Sequence, residues 1–284
     1  MKKLVAALFA FLTTLSAYAL PVGNPWDASL LNCGVFLRGD CDALCSCWSD
    51  ALSVRVGFYG DYVFNRHTQV RQGQRHDSIH STKLFTNAGF AAFNFCDRLD
   101  LFATFGTTEL QFETRARVLQ GAGPNDIVRF ETDTRFSWSL GLRGTIWEYG
   151  CLALGAEAQY FQARPHLNFI RGEVDNPFYF SGHERLKYKE WQVGLGVSYK
   201  VALNPCSTFL VPYAAVKWAR VRAHFNYANA VALTDTYNLP NIENERTWGL
   251  ALGLTLVGCR KASVTVEGRF FDENAVYANT QFRF

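Results

Sequence analysis

The sequence is poor in the features that mark helical, disordered or nucleic-acid-binding chains. Methionine occurs once, charged residues make up only 19% of the chain, and the formal net charge is +3. Few charges beside 49% hydrophobic residues exclude an intrinsically disordered protein. The small net charge gives no reason to expect nucleic acid as a partner. After residue 19 there is no unbroken apolar run of about 20 residues, so no membrane-spanning helix is expected.

Aromatic residues and glycine are abundant instead. Aromatics reach 15%, and the chain has 24 Phe and 22 Gly, a composition that favours strands and turns. From Phe136 to Ile146, large apolar residues alternate with Ser, Gly, Arg and Thr. The same period of two occurs at 52–64, 191–201 and 248–256. Such alternation predicts strands with one apolar face and one polar or small face.

Ten strands are predicted when weaker alternating segments are included. The weaker segments are 84–95, 99–107, 152–161, 209–219, 262–271 and 275–284. Long polar connections alternate with short ones, and strand lengths match the roughly 9–11 residues that cross a membrane. The sequence therefore predicts an all-β fold, a transmembrane antiparallel up-and-down β-barrel of about ten strands, with twelve as the alternative. A soluble sandwich, the competing fold, would have to bury its apolar faces between two sheets.

The N-terminus has the three parts of a secretory signal. Lys2 and Lys3 precede the apolar stretch Leu4–Leu12, and Ala17-Tyr18-Ala19 fits a cleavage site. The apolar stretch is too short for a membrane anchor. We expect residues 1–19 to be a signal peptide, residues 20–50 a cysteine-bearing periplasmic segment, and residues 51–284 the barrel.

Eight cysteines are disulfide candidates, since an exported protein meets an oxidising compartment. Four of them are spaced by 55, 55 and 53 residues, one in each short connection: Cys96, Cys151, Cys206 and Cys259. The other four precede the first strand: Cys33, Cys41, Cys45 and Cys47. With an even number of strands, all eight lie on the same side of the membrane. Intramolecular and intermolecular pairings both stay open, and a metal site is disfavoured because no His lies near the N-terminal cysteines.

Charges on the polar faces are predicted to point into the barrel, because a lipid-facing charge is costly at mid-depth. The predicted pore-lining charges are Arg55, Asp61, Arg143, Glu157, Lys200, Lys217, Glu267 and Arg269. About eight strands make a barrel that its own side chains fill. Ten strands lie near that limit, but inward glycines favour a narrow pore over a filled barrel. These glycines are Gly57, Gly141, Gly194, Gly196, Gly249 and Gly253.

Several blocks of sequence resemble the major outer membrane porin family of chlamydiae and their relatives. They are Leu20–Pro25, Val56–Phe64, Glu190–Gly194 with Ser198–Tyr199, Val211–Tyr213, Val216–Trp218, Cys259, Asp272–Asn274 and Gln281–Phe284. The resemblance implies an outer-membrane porin whose cysteines build a disulfide-linked envelope. Residues 67–175 match poorly, and the chain is shorter than the usual family member. Pore size and oligomeric state are therefore not carried over.

The expected function is passive diffusion of small hydrophilic solutes and ions, without catalysis, metal or cofactor. The expected partners are outer-membrane lipid, the barrel-assembly machinery, other cysteine-rich envelope proteins and further copies of the chain. Phe284, a terminal aromatic on a strand, resembles an assembly signal. The loops are expected outside the cell and the termini in the periplasm.

Two alternatives remain open. The first is a filled barrel whose long loops act as an adhesin or surface antigen. The second is a barrel protease similar to omptins. His67, His76 and His80 lie in one loop, but nothing in the sequence supplies an oriented catalytic triad.

Overall fold

The computed structural model describes residues 21–31, 52–72, 75–115, 127–172, 178–181, 185–204, 208–226 and 241–284. These residues hold one short helix, α1 (Asp27–Leu30), and seventeen strands. The strands are β1 (Leu52–Arg66), β2 (Thr68–Gln72), β3 (Arg75–Ser78), β4 (Ser81–Phe95), β5 (Leu99–Arg115), β6 (Ile127–Thr132), β7 (Arg135–Tyr149), β8 (Leu152–Ala163), β9 (Leu167–Gly172), β10 (Phe178–Ser181), β11 (Arg185–Tyr199), β12 (Val201–Asn204), β13 (Thr208–Asn226), β14 (Ile242–Asn244), β15 (Trp248–Gly258), β16 (Ala262–Phe270) and β17 (Glu273–Arg283). Among them no helix has the length and hydropathy needed to cross a membrane.

Ten of the strands close into an antiparallel barrel. Around the wall they follow the order β1, β4, β5, β7, β8, β11, β13, β15, β16, β17. The last strand pairs back onto the first, from Arg55 opposite Arg283 to Arg66 opposite Glu273. Each strand neighbours those next to it along the chain, so the barrel is up-and-down. The prediction of ten strands is confirmed.

The two ends of the barrel differ. At one end, called the loop end, the short strands β2, β3, β6, β9, β10 and β14 extend the sheet beyond the barrel wall. At the other, called the turn end, strands are joined by tight turns such as 96–98 and 259–261. β1 begins and β17 ends at the turn end, as an even number of strands requires.

The outer face of the barrel is apolar and the inner face is polar. Along β11, Trp191, Val193 and Leu195 are exposed on the outside, while Gln192 and Gly194 are buried inside. A continuous exposed apolar surface of this kind is stable against lipid rather than water. The alternation read from the sequence is thus the pleat of a membrane-spanning barrel wall.

Candidate functional site

The lumen is the candidate site, and it contains seven of the eight charges predicted to line a pore. Each of the seven has 6% or less of its surface exposed. They are Arg55, Asp61, Arg143, Glu157, Lys217, Glu267 and Arg269. Their burial follows from strand alternation, since every second residue of the wall points inward.

Residues 21–31 also lie inside the barrel. Near one end of this N-terminal segment, the carbonyl of Pro21 accepts a hydrogen bond from Gln192 Nε2 at 2.7 Å, about midway along β11. At the other end, the carbonyl of Leu31 accepts from Arg283, close to the turn end. The sequence predicts a periplasmic segment at residues 20–50, whereas the structure places its first described part, 21–31, in the lumen. Residues 32–51 lie outside the described residues.

The barrel wall supplies partners for the backbone of the N-terminal segment. The Glu267 carboxylate accepts hydrogen bonds from the backbone N–H groups of Val22 at 3.1 Å and Gly23 at 2.9 Å. Arg55 donates to the carbonyls of Asp27 at 2.5 Å and Ala28 at 2.7 Å. A segment without a sheet partner needs such contacts, because buried backbone groups are costly when unpaired.

Side chains add ionic contacts between the barrel wall and the N-terminal segment. Arg143 donates to the Asp27 carboxylate at 2.7 Å and to Asp100 at 2.9 Å. Asp27 lies in α1, and its burial with Arg143 gives the segment a charged anchor point. Asp27 and Asp100 were not identified from the sequence. Asp100 could have been predicted, because it lies two residues before Phe102 and therefore on the same inner face of β5.

Inward glycines make room for the segment. A Cβ on Gly194 would lie 2.4 Å from Val22 Cγ1, and one on Gly155 would lie 2.1 Å from the Pro25 carbonyl oxygen. A Cβ on Gly196 would meet the Pro25 ring at 2.6 Å. The sequence predicts that inward glycines leave a narrow pore open. In the structure the chain's own N-terminal segment occupies this space at Gly194 and Gly196, whereas side chains of the wall occupy it at Gly141, Gly249 and Gly253.

Above the segment, toward the loop end, lies a charged layer. It consists of Asp61, Arg66, Glu190, Lys217, Arg269, Asp272 and Glu273. Lys217 Nζ lies 2.9 Å from Asp272, and Arg269 Nε lies 3.0 Å from Glu273. Arg66 bridges Glu190, at 2.6 Å, and Glu273. Four residues of the charged layer were not predicted from the sequence, because they lie at or beyond the ends of the predicted strands: Arg66, Glu190, Asp272 and Glu273.

An apolar cap fills the lumen at the loop end. It includes Leu84, Leu110, Phe112, Phe130, Phe161 and Leu186, all buried. Phe130 belongs to β6, which continues the wall beyond the barrel proper. Within the residues that the structure describes, the N-terminal segment, the charged layer and the apolar cap together fill the lumen. The sequence predicts a narrow pore, whereas the lumen of this conformation is filled.

Lys200 is the one predicted lumen charge that lies elsewhere. β11 ends at Tyr199, so its inward alternation does not continue to Lys200. The Lys200 ammonium lies at the turn-end rim, 4.3 Å from the centroid of the Phe209 ring and 5.3 Å from that of Trp26. Burial, and to a smaller extent the positive charge of Arg260, lowers the pKa of Lys200. This side chain packs against the mouth of the barrel rather than lining its interior.

The described rim cysteines are free and exposed. Cys96, Cys151 and Cys259 lie in turns at the turn end. Cys96 and Cys259 have positive φ angles of 51° and 50°, as the tight primed turns of hairpins require. The remaining five cysteines lie outside the described residues: Cys33, Cys41, Cys45, Cys47 and Cys206. Disulfide formation therefore stays a prediction.

The C-terminus seals the closure of the barrel. The N–H of Phe284 donates to the carbonyl of Val54 at 2.8 Å, and its own carbonyl accepts from the N–H of Val54 at 3.3 Å. The Phe284 side chain is exposed on the outer face. Its role as an assembly signal stays a prediction. Among the described residues, no group of three His, Cys, Asp or Glu is placed to hold a metal.

A family model described as Chlamydia major outer membrane protein matches residues 1–81, 123–176 and 229–284. The major outer membrane porin of Chlamydia abortus is 31% identical over 399 aligned positions, which cover 100% of both chains. The serovar L1 major outer membrane porin of Chlamydia trachomatis is 29% identical over 402 positions, again covering 100% of both. Since this chain has 284 residues, these relatives carry more than a hundred residues without a counterpart here.

Solved barrels are similar only at a distance. The β domain of the Bordetella autotransporter BrkA aligns with 82% of this chain and 99% of that chain, at 12% identity and a TM-score of 0.41. The outer membrane protease OmpT of Escherichia coli aligns with 82% of this chain and 96% of that chain, at 13% identity and a TM-score of 0.41. Similarities of this size carry no functional argument.

Proposed function

The chain belongs to the chlamydial major outer membrane protein family, and from this premise we propose that it is an outer-membrane porin for small hydrophilic solutes and ions. The observation that carries the proposal is the segregation of the barrel, with charges inside and large apolar side chains outside. Relatives at about 30% identity are named major outer membrane porins. Passive diffusion needs neither a catalytic group nor a cofactor.

In this proposal the N-terminal segment is a gate. Residues 21–31 occupy the turn-end part of the lumen, so a solute passes only after the segment leaves or shifts. Hydrogen bonds and ion pairs from Glu267, Arg55 and Arg143 hold the segment. When it leaves, Gly155, Gly194 and Gly196 face open space instead of the segment. The apolar cap at the loop end must also separate for conduction.

An engineered disulfide tests the gate directly. A Cβ on Gly194 would lie 3.5 Å from the Val22 Cβ, within the roughly 3.5–4.5 Å that a disulfide spans. We would place V22C and G194C together in a chain whose eight native cysteines are Ser. In planar bilayers, we expect conductance steps in reductant and their loss after oxidation. Each single variant serves as the control and should conduct under both conditions.

Silence of the reduced double variant and of the wild type, both with heat-modifiable barrel migration, would reject the porin proposal. The same steps in the oxidised and reduced double variant would reject the gate alone, provided that mass spectrometry shows the disulfide formed.

We place the turn end in the periplasm and the loop end outside the cell. Removal of residues 1–19 by signal peptidase and recognition of Phe284 by the barrel-assembly machinery belong to this proposal. The exposed thiols of Cys96, Cys151 and Cys259 support disulfides with other cysteine-rich envelope proteins or with further copies of the chain. Such bonds would add rigidity to the envelope.

The apolar cap favours a second candidate function. Phe112, Phe130 and Phe161 close the loop end with buried aromatic packing rather than with polar side chains. A permanently filled barrel of this kind would serve as a scaffold for loops that act as an adhesin or surface antigen. The conductance experiment separates the two functions, because the scaffold gives no steps with or without reductant.

A further inference from the structure

A cluster of positive charge lies on the outer, membrane-facing side of the barrel near the loop end. This basic patch consists of Arg164, Lys187, Lys189, Arg220 and Arg222. Lys187 and Lys189 lie on β11, Arg220 and Arg222 on the adjacent β13, and Arg164 directly follows β8 on the other side. Arg164, Arg220 and Arg222 are exposed, and the two lysines are half-exposed.

The patch begins at an aromatic belt, where Arg220 lies opposite Trp191, and extends from there toward the loop end. The Tyr160 and Trp191 ring centroids are 4.7 Å apart, and Trp138 meets Tyr160 at 5.6 Å. Aromatic girdles of this kind mark the membrane–water interface of a barrel. Lys189 is two residues beyond Trp191 toward the loop end, which is about 6.6 Å along a strand. The ammonium and guanidinium groups are therefore at the level of lipid head groups.

Like charges face each other across strands in the patch. Lys189 lies opposite Arg222. Directly opposed like charges destabilise a sheet. Among the described residues, no carboxylate lies within ion-pair distance of any of the five. Among the described residues, Glu243 on β14 is the acidic residue closest in register, opposite Arg222. Within the part of the chain that the structure describes, five basic residues thus share one carboxylate in register, so the patch keeps an excess of positive charge.

The wall around β4, β5 and β6 does not share this feature. At the same end of β4, β5 and β6, the outward side chains are of both signs, and Arg129 pairs with Glu113 at 3.4 Å. Glu109 and Glu131 add negative charge there, beside Lys83. On these three strands positive charge is thus balanced by negative charge, unlike on β11 and β13.

We propose that the basic patch binds the phosphate groups of a phosphorylated glycolipid of the lipid A class in the outer leaflet. The acyl chains of that lipid lie along the apolar wall below, against Trp191, Tyr160 and Val193. Clusters of Lys and Arg at a membrane surface bind anionic lipid head groups, and basic residues spread over β8, β11 and β13 offer separate contacts to the two phosphates of one head group. The inference depends on the proposed outward orientation of the loop end but not on conduction.

Lipid retention by the refolded mature chain tests the site. The chain is incubated in detergent micelles with diphosphoryl lipid A, phosphatidylglycerol or phosphatidylethanolamine, and bound lipid is counted by native mass spectrometry. We expect wild type to retain diphosphoryl lipid A in preference to both phospholipids. The double variant K189Q/R222Q should retain it roughly thirtyfold less. The matched control K83Q/R129Q, which removes the same charge from β4 and β6, should behave as wild type.

Equal retention of lipid A by wild type and K189Q/R222Q would overturn the proposal, as would equal loss in the control variant. Equal binding of phosphatidylglycerol by wild type would also overturn it, because the patch would then respond to any anionic lipid. Heat-modifiable migration establishes that each variant is folded. The variant K189R, which keeps the positive charge, should bind diphosphoryl lipid A as wild type does. The conductance of K189Q/R222Q is measured separately, so failure of this site is distinguishable from failure of the porin proposal.

Discussion

Arg143 on the barrel wall donates a hydrogen bond to the carboxylate of Asp27 on the N-terminal segment, at 2.7 Å, and both side chains are buried. Arg143 holds Asp100 on the neighbouring strand in the same way, at 2.9 Å. An arginine that the sequence predicts as pore-lining therefore joins the wall to an internal segment. If the segment leaves, Arg143 keeps Asp100 as its partner, so the wall tolerates both states.

Replacement of Asp27 by Asn should open the gate more often. D27N keeps the shape of the side chain but removes the charge that faces Arg143. A hydrogen bond to a charged group contributes about 2 kcal/mol, so we expect roughly a thirtyfold rise in the ratio of open to closed states. Single-channel recording measures this ratio. D133N, which removes an exposed ion pair with Arg135 at the loop end, should change nothing. Identical open probabilities in D27N and wild type would contradict the gate.

Added volume beneath the segment should displace it. In G155A the new Cβ would lie 2.1 Å from the Pro25 carbonyl oxygen and 2.8 Å from that of Gly144. Both contacts are backbone oxygens, and Gly144 is fixed in the barrel wall, so the N-terminal segment must shift. We then expect Trp26 to become accessible to chymotrypsin. Digestion is followed by mass spectrometry of the folded barrel. G258A is the matched control, because a Cβ there meets nothing within 4 Å. Protection of Trp26 in G155A would show that the segment adapts without leaving.

The wall of the barrel could be predicted from the sequence because it is a local property. Alternation from Trp191 to Tyr199 specifies which side chains face lipid, and this is set by strand geometry alone. Phe136 to Ile146 is predicted for the same reason. The even spacing of Cys96, Cys151 and Cys259 correctly indicated one hairpin per repeat, since each lies in a turn. These features need no knowledge of distant contacts.

The filling of the lumen could not be predicted, because it depends on contacts between distant parts of the chain. Val22 meets Gly194, and Asp27 meets Arg143. Nothing local to residues 21–31 indicates burial, since Pro and Gly there are equally typical of an extended periplasmic segment. A glycine on an inner face indicates space, but not what occupies it.

Removal of Lys217 should destabilise the whole barrel. Lys217 is fully buried and lies between Asp272, at 2.9 Å, and Glu273. In K217M these carboxylates lose one of their cations, and leaving a buried charge unpaired costs about 3–5 kcal/mol. Urea unfolding in micelles, followed by tryptophan fluorescence, measures the loss in free energy of unfolding. K83M, on the outer face, should change it by about 0.5 kcal/mol or less. A small effect of K217M would mean that Arg66 and Arg269 alone balance the charged layer.

Thiol labelling should show which end of the barrel faces the periplasm. Cys96, Cys151 and Cys259 are exposed at the turn end, whereas Thr134 is exposed at the loop end, between β6 and β7. A membrane-impermeant maleimide too large for a porin should label T134C in intact, reduced cells. The native rim cysteines should react only after the outer membrane is permeabilised. A chain with its eight cysteines replaced by Ser, before and after addition of T134C, isolates the loop-end signal.

Labelling of the rim cysteines in intact cells, with T134C protected, would reverse the orientation. The same result would place the basic patch in the inner leaflet, where the proposed glycolipid is absent, because the patch and Thr134 lie at the same end of one rigid wall.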